Sequence, residues 1–210
     1  MGDFSKILDL TNVQEDVWLR DGLLYIREFE KGQVVMDGTQ NNNKIGIILS
    51  GMALLESNAL EDQRRILDYY ESGDIFGGKC LPDLKRDLYY ITALGRCRVG
   101  FVDSEKIMEE NFQKEISMLN DSLMEHSTRR MIKHMDILAH RTIRQKLLIF
   151  LKHISRKKGR RSFSLPFPLT DCADYLAVDR SAMMRELKKM KEDGILRTQG
   201  RKIELVEWKE

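Results

Sequence analysis

The sequence predicts an α+β protein made of a small all-β domain, one long helix, and two short helices that precede a two-stranded hairpin. Short β-like runs separated by glycines fill residues 23–102, a spacing typical of a β-sandwich or barrel. From residue 104 onward, more than thirty residues contain no Gly or Pro, which favours helix. We therefore predict domains at residues 1–110, 111–138 and 139–210.

Charge is divided unevenly along the chain, although the net charge is only +2. Residues 1–111 hold 13 Lys/Arg and 20 Asp/Glu, whereas residues 140–210 hold 18 Lys/Arg and nine Asp/Glu. Clustered cations favour binding to a polyanion. The C-terminal part is therefore predicted to have such a partner.

Composition also argues against several classes of protein. There is no apolar run of about 18 residues, the length that a membrane span needs, and no secretory start, so we expect a cytoplasmic protein without a membrane partner. Cys80, Cys97 and Cys172 are widely separated. That spacing argues against a disulfide framework and against a thiolate metal site.

The β-domain is predicted from runs at residues 23–29, 33–36, 45–49, 52–55, 64–69 and 91–102. Glycines at positions 32, 38, 51 and 73 mark turns between them. No internal repeat accompanies this series of short strands.

The long helix is predicted over residues 104–138, with a break at Asn111. Its longer piece, about 27 residues, would extend about 40 Å. Two apolar stripes run along it. We interpret the first as a dimer contact because its spacing is that of a coiled coil, and the second as packing on a domain; the alternative that both pack within one chain stays open. The first stripe consists of Phe112, Ile116, Leu119 and Leu123, and the second of Met124, Met131, Met135 and Leu138.

A further helix is predicted over residues 143–154, and the basic run 156–161 ends it as a solvated loop or a phosphate contact. Phe163 and Leu165 then form a strand-like entry to the last block.

Residues 166–196 read as a helix, a three-residue turn and a second helix. The first helix ends over residues 171–176 and the second covers residues 180–193. Asp179 suits the N-cap of the second helix, and Gly194 suits its C′ position. Met183, Leu187 and Met190 form its apolar back. Residues 195–206 predict a hairpin with a basic tip, a wing.

The opposite face of the second helix is cationic, which suits insertion into a DNA major groove. Arg180 and Arg185 are predicted to reach base edges, with guanine as the favoured target of arginine. A solvated surface is the alternative reading of such a face. The predicted base contacts are Arg180, Ser181, Met184 and Arg185, and the predicted phosphate contacts are Thr170, Lys188, Lys189, Arg201 and Lys202.

The collinear order of these parts resembles the Crp/Fnr family of bacterial transcription regulators. The resemblance implies a cyclic-nucleotide-binding-like β-roll (jelly roll), a long dimerisation helix and a winged helix-turn-helix. It also implies a homodimer that binds double-stranded DNA at a palindromic operator, a small-molecule effector, and RNA polymerase as a partner. The segments that carry it are Phe29-Glu30-Lys31-Gly32, Ile48-Leu49-Ser50-Gly51, Ser72-Gly73-Asp74-Ile75-Phe76-Gly77, Ala173-Asp174-Tyr175-Leu176, Arg180-Ser181-Ala182 and Arg185-Glu186-Leu187.

The effector implied by the resemblance is not cAMP. Members of the family that bind cyclic nucleotides carry a Glu for the ribose and an Arg-Ser pair for the phosphate, where this chain has Gly78 and Asp87-Leu88. Placing Arg86 at the arginine position requires a shift of one residue and leaves Asp87 beside the anion, which is repulsive. By family geometry, the effector pocket would be bounded by Ile75, Phe76, Gly77, Gly78, Leu88, Tyr89 and Ile91.

No residue pattern in the sequence identifies a cofactor, and the cofactor is therefore unknown. Oxygen-sensing members hold an iron–sulfur cluster with four cysteines, whereas the first 79 residues here contain none. Haem or a redox-responsive thiol at Cys80 stays open as an alternative, with His126, His134, His140 and His153 as further haem ligands to consider. Lone histidines on a charged helix are usually solvated, and a cysteine in a β-domain is usually core.

A DNA-binding regulator is the leading hypothesis for function. The alternative is a small-molecule-binding β-domain protein whose winged helix serves protein–protein interaction. An enzyme is disfavoured because no nucleophile–base pair, paired-carboxylate motif or phosphate-cradling loop stands out.

Overall fold

The computed structural model describes residues 22–37, 44–57, 64–77, 89–103, 106 and 113–206. The chain divides into two compact units, Met1–Met131 and Ile132–Glu210. The division lies inside the long helix rather than at either of its ends. No helix in the described ranges is long and apolar enough to cross a membrane.

The described part of the first unit contains eight strands in two antiparallel sheets of four. One sheet has the order β1-β8-β3-β6 and the other β2-β7-β4-β5. The strands are β1 (Leu24–Phe29), β2 (Val34–Asp37), β3 (Lys44–Ser50), β4 (Met52–Ser57), β5 (Arg65–Glu71), β6 (Ile75–Gly77), β7 (Tyr89–Ala93) and β8 (Cys97–Asp103). The predicted β-roll is confirmed, with two differences: the run 91–102 belongs to two strands, and β6 was not predicted.

Close packing between the sheets depends on glycine at two places. A Cβ on Gly46 would lie 2.4 Å from the Phe76 ring, so the ring occupies the space that a side chain on β3 would need. Gly51, in the turn between β3 and β4, has φ +86°, and a Cβ there would lie 2.4 Å from the carbonyl oxygen of Arg96. Neither position accepts a side chain without displacing its neighbour.

The long helix, α1, spans Gln113–Ala139 with 27 residues, the length predicted for its main piece. The dimer interpretation of its first stripe is wrong for the described residues. Leu119 and Leu123 are 0% exposed and, with Ile116, pack in one cluster with β-roll residues such as Leu24 and Ile47. Side chains that are fully covered within one chain cannot contact a second copy. Phe112 lies outside the described residues.

The second stripe of α1 was predicted to pack on a domain, and this too is wrong. Met124 is 53% exposed, Met131 60%, Met135 61% and Leu138 38%. The first stripe is thus core, as in the alternative that it packs within one chain, and the second is open to solvent.

A largely buried arginine also joins α1 to the β-roll. The Arg130 side chain, 17% exposed, donates from Nε to Asp68 Oδ2 at 2.8 Å and from Nη2 to the Ile75 carbonyl at 3.3 Å. Its guanidinium lies 4.5 Å from the centre of the Tyr70 ring and 4.0 Å from Asp74. Burial alone would lower the pKa of Arg130, but Asp68, Tyr70 and Asp74 raise it above its usual value.

The described part of the second unit contains the end of α1, three further helices and a three-stranded sheet of order β10-β11-β9. The elements are α2 (Ile143–Lys158), β9 (Ser162–Ser164), α3 (Leu169–Leu176), α4 (Arg180–Glu192), β10 (Leu196–Gln199) and β11 (Lys202–Leu205). The predicted helix-turn-helix and wing are confirmed. Helix α2 continues past residue 154 to Lys158 and ends at Gly159, which adopts φ +63°.

Aromatic packing forms the centre of this unit. The Phe150 ring of α2 lies 6.0 Å from Phe167 and 5.5 Å from Tyr175 of α3, measured between ring centroids. All three side chains are at most 5% exposed. Rings at these distances attract one another beyond their burial, so α3 is held firmly on α2.

Candidate nucleic-acid interface

Helix α4 begins and ends at the predicted caps. Asp179 accepts a hydrogen bond from the backbone N–H of Ala182 at 2.7 Å, which satisfies one of the free donors of the first turn. Gly194, at φ +71°, follows the last turn. The N–H of Gly194 donates to the Lys191 carbonyl, and that of Ile195 donates to the Met190 carbonyl.

The two faces of α4 differ in exposure as the sequence predicts. Met183, Leu187 and Met190 are 0%, 7% and 0% exposed and hold the helix on its unit. The front is exposed along its length, so the helix presents a cationic surface with no carboxylate among its six residues. These are Arg180, Ser181, Met184, Arg185, Lys188 and Lys189.

Glu186 is turned toward α2 and away from the front, whereas Glu192, one turn beyond Lys188, lies 3.9 Å from the Lys188 ammonium. Arg144 donates from Nε to Glu186 Oε1 at 2.5 Å and from Nη1 to Asp193 Oδ2 at 2.7 Å. Sequence reasoning missed this contact. The partners lie 42 and 49 residues from Arg144 in the chain, and neither helical periodicity nor capping signals report contacts between elements.

The wing is a hairpin of β10 and β11, in which Gln199 pairs with Lys202 across the turn. Gly200, at φ +60°, and Arg201 form its tip. Arg201 is exposed and also donates to the Leu165 carbonyl at 3.2 Å, so its guanidinium is partly tethered. Lys202 is exposed without such a tether among the contacts of the described residues.

Helix α4 and the wing share one groove of about 230 Å³. Met184 and Lys188 line it from the helix, while Thr198 and Gly200 line it from the wing. Helix α4 and the wing therefore form one continuous surface of a single unit.

Thr170 lies in the first turn of α3 and is half-buried. The N-cap of α3 is Pro168, which makes no side-chain cap hydrogen bond. Backbone N–H groups at such a helix start are good donors to phosphate. The phosphate contact at Thr170 stays a prediction.

The histidines and cysteines of the described residues are engaged within the fold. The His126 ring lies 2.7 Å from the Ser122 carbonyl. His134 stacks on Tyr175 at 4.1 Å and bonds its carbonyl at 2.8 Å. His140 and His153 both approach Asp136, at 4.0 and 3.7 Å. Within the described ranges, no three His, Cys, Asp or Glu side chains are placed to hold a metal ion.

Two cysteine thiols are buried. Burial raises the pKa of Cys97 to about 11 and that of Cys172 to about 12, so both stay protonated and unreactive near neutral pH. Cys80, the candidate for haem or redox chemistry, lies outside the described residues.

The predicted effector pocket is described only in part. Ile75, Phe76 and Ile91 are 3%, 1% and 0% exposed, so their side chains belong to the core. Gly77 adopts φ +90°, and Tyr89 is half-buried. Gly78 and Leu88 lie outside the described residues, as do Arg86 and Asp87, and the pocket stays a prediction.

Comparison with known proteins matches both units to family models. Residues 26–111 match the cyclic nucleotide-binding domain, and residues 145–210 match the Crp-like helix-turn-helix domain. The chain belongs to the Crp/Fnr family of transcription regulators. A β-roll followed by a winged helix-turn-helix is the order of parts that the family resemblance implied.

Individual members of the Crp/Fnr family are distant from this chain in sequence. The transcriptional activator protein FnrL of Cereibacter sphaeroides is 22% identical over 201 residues, covering 91% of this chain and 80% of FnrL. The structure of FixK2 from Bradyrhizobium japonicum has a TM-score of 0.73 at 20% identity, covering 88% of this chain and 93% of FixK2. A CooA variant from Carboxydothermus hydrogenoformans has a TM-score of 0.74 at 18% identity, covering 99% and 94%. At these identities the structural neighbours indicate the shared fold.

Proposed function

We propose that this Crp/Fnr regulator binds a two-fold-symmetric DNA site as a homodimer, with one α4 helix in the major groove of each half-site. The observation that carries the proposal is the division of α4 into a buried apolar back and an exposed cationic front. A helix held in this way presents side chains to base edges while its own unit stays folded behind it.

The front residues take different roles by their chemistry. Arg180 and Arg185 donate to guanine O6 and N7, the contact that arginine geometry favours. Ser181 bonds a base edge, and Met184, 42% exposed, contacts a thymine methyl group. Thr170, Lys188, Lys189, Arg201 and Lys202 contact phosphates, which position the protein without selecting sequence.

Dimerisation is assigned to the exposed seam of α1, defined here as Met124, Thr128, Met131, Met135 and Leu138. Its spacing of 4-3-4-3 is that of a coiled coil. The four apolar members are 38–61% exposed in one chain, and an exposed apolar stripe of this kind marks an interaction surface. A second copy of α1 carries the matching stripe, because two-fold contacts are self-complementary.

Regulation in this proposal comes from an effector other than cAMP. We exclude cAMP because this chain has Gly78 and Asp87-Leu88 at the positions where cAMP-binding relatives carry Glu and Arg-Ser. The effector would shift the population of dimer states that differ in the placement of their reader helices. The site of action is the cytoplasm, RNA polymerase is a further partner, and no catalytic role is part of the proposal.

The DNA proposal is tested by selecting duplexes from a randomised library with the full-length protein. We expect a palindromic consensus. Arg180→Ala should weaken binding to the selected duplex by about 1–3 kcal/mol and relax the preference at one base pair in each half-site, measured by fluorescence anisotropy. Arg27→Ala, which removes an exposed cation of β1, is the matched control. It should change neither the affinity for the selected duplex nor the base preference.

Two outcomes contradict this proposal. Enrichment of no consensus, together with no binding to random DNA at low salt, would favour the winged helix as a protein-binding module. An unchanged consensus and affinity for Arg180→Ala would remove Arg180 from the base contacts.

The dimer proposal is tested by Met135→Glu. A carboxylate within the seam would be desolvated next to its two-fold copy, so sedimentation should show the wild type as a dimer and the variant as a monomer. Val34→Glu introduces the same charge at an exposed apolar residue of β2 (49% exposed) and should leave the dimer intact. A monomeric wild type would rule the dimer out.

A further inference from the structure

We propose that Arg144 is a positioning residue for base readout: it sets the rotation of α4 about its own axis and thereby determines sequence specificity without touching DNA. The inference rests on the proposed function, since it concerns how the same helix reads bases. Its basis is a contact between α2 and the side of α4 that faces away from the cationic front.

The contact joins one guanidinium to two carboxylates of the α4 segment. Glu186 lies in the middle of α4, and Asp193 is its C-cap. Residues seven apart fall within about 20° of the same face of a helix and about 10 Å apart along its axis. Arg144 bonds both, at 2.5 and 2.7 Å. The buried back of Met183, Leu187 and Met190 holds the axis of α4 in place. Attachments away from that axis therefore resist rotation about it, and the separation of the two attachments along the axis also resists tilting.

Rotation of α4 matters because base contacts tolerate little displacement. A rotation of about 20° moves a side-chain tip about 6 Å from the helix axis by about 2 Å. Hydrogen bonds hold only over a range of about 0.5 Å in length. A rotation of the helix would therefore displace Arg180 and Arg185 together from the base edges that they contact.

Arg144 itself is well anchored. It occupies the first turn of α2, where Thr142 and Gln145 form a reciprocal capping box with bonds of 3.2 and 3.3 Å. In the same turn, Lys146 donates from Nζ to the Leu176 carbonyl at 3.1 Å, at the end of α3. The first turn of α2 therefore contacts both helices of the helix-turn-helix, α3 through Lys146 and α4 through Arg144.

An ordinary surface ion pair would contribute little, but this contact differs from one in two respects. Arg144 is 36% exposed and Glu186 only 21%, so solvent screens this pair less than an open one, whereas the bond to Asp193, which is 47% exposed, is screened more. The two bonds of one planar guanidinium also impose direction, which a lysine ammonium does not. The expected consequence lies in specificity more than in folding stability.

The experiment compares variants of opposite charge change in the full-length protein. The probes are a duplex selected by the wild type from a random library and a scrambled duplex of the same length and composition. We expect the ratio of the two affinities to fall about tenfold for Arg144→Gln and also for the double variant Glu186→Gln with Asp193→Asn, since each loses alignment of a bidentate base contact. Arg144→Lys should lower this ratio less than Arg144→Gln does. Arg141→Gln, which removes a nearby exposed cation, should leave the ratio unchanged.

Three results would overturn the inference. The ratio of affinities for the selected and scrambled duplexes could be unchanged in Arg144→Gln. Alternatively, Arg144→Gln could weaken binding to both duplexes equally and make the affinity less dependent on salt, while the carboxylate variants strengthen binding to both. That result would indicate that Arg144 contacts a phosphate directly. A wild type without any preference between the duplexes would instead refute the proposed function itself, before any variant is compared. If Arg144→Gln fails to fold by circular dichroism, Glu186→Gln and Arg144→Lys decide the question.

Discussion

Arg129 and Arg130 are neighbours on α1 whose surroundings differ sharply. Arg129 pairs with Glu125 one turn away, and the two side chains are 71% and 58% exposed. Arg130 is 17% exposed and holds Asp68, which is equally covered. Solvent screens the first pair, whereas the second has lost most of its hydration and depends on its partners.

This difference predicts unequal effects of the same substitution. Arg130→Gln should lower the free energy of unfolding by about 3 kcal/mol, because it leaves the carboxylates of Asp68 and Asp74 covered without their cation. Arg129→Gln should cost at most about 1 kcal/mol. Urea unfolding followed by circular dichroism measures both. Equal losses would show that Arg130 contributes no more than a surface charge.

At the level of elements, α2, α3 and α4 end in the same way. Gly159, Ala177 and Gly194 each adopt positive φ after a helix, and the N–H groups of these residues and of their successors donate back to the last turn. This is the Schellman arrangement, in which glycine is favoured because it lacks a Cβ. Ala177, at φ +50°, is the exception, and it lies in the turn of the helix-turn-helix.

The strain at Ala177 predicts that Ala177→Gly stabilises the protein. Relief of the left-handed alanine should outweigh the extra freedom of the unfolded chain and give about 1 kcal/mol. Gly194→Ala is the reverse substitution at the end of α4. An added Cβ there meets no atom within 4 Å, so only the backbone is strained, and the free energy of unfolding should fall by about 1 kcal/mol. Urea midpoints of the full-length variants should move in opposite directions. A lower midpoint for Ala177→Gly would contradict the strain argument.

Elements with local signals could be predicted from the sequence. Asp179 and Gly194 mark the limits of α4 by cap chemistry, and short β-like runs bounded by glycine turns mark most β-roll strands. Strand β6 has only three residues, Ile75–Gly77, too few for periodicity to register. The roles of the two α1 stripes were assigned wrongly because a period identifies residues that share a face, not the surface that covers it. Arg130–Asp68 and Arg144–Glu186 join residues 62 and 42 positions apart, and such pairs leave no local pattern.

For the whole molecule, the division of charge carries the main consequence for DNA binding. Residues 1–111 have an excess of seven acidic residues, and residues 140–210 an excess of nine basic ones. Affinity for DNA should therefore arise in the C-terminal unit, while the acidic N-terminal unit adds repulsion. Four of the proposed phosphate contacts are cations: Lys188, Lys189, Arg201 and Lys202.

These four cations predict the salt dependence of the dimer. Eight phosphate contacts give a slope of about −7 in a plot of log affinity against log salt concentration. Lys188→Gln removes one cation from each subunit, so it should make the slope shallower by about two while leaving the selected base preference unchanged. Lys31→Gln makes the same change on the exposed surface of the acidic β-roll and should leave the slope as it is. If both variants shift the slope alike, the counterions are released by the charge of the whole molecule and Lys188 is not a phosphate contact.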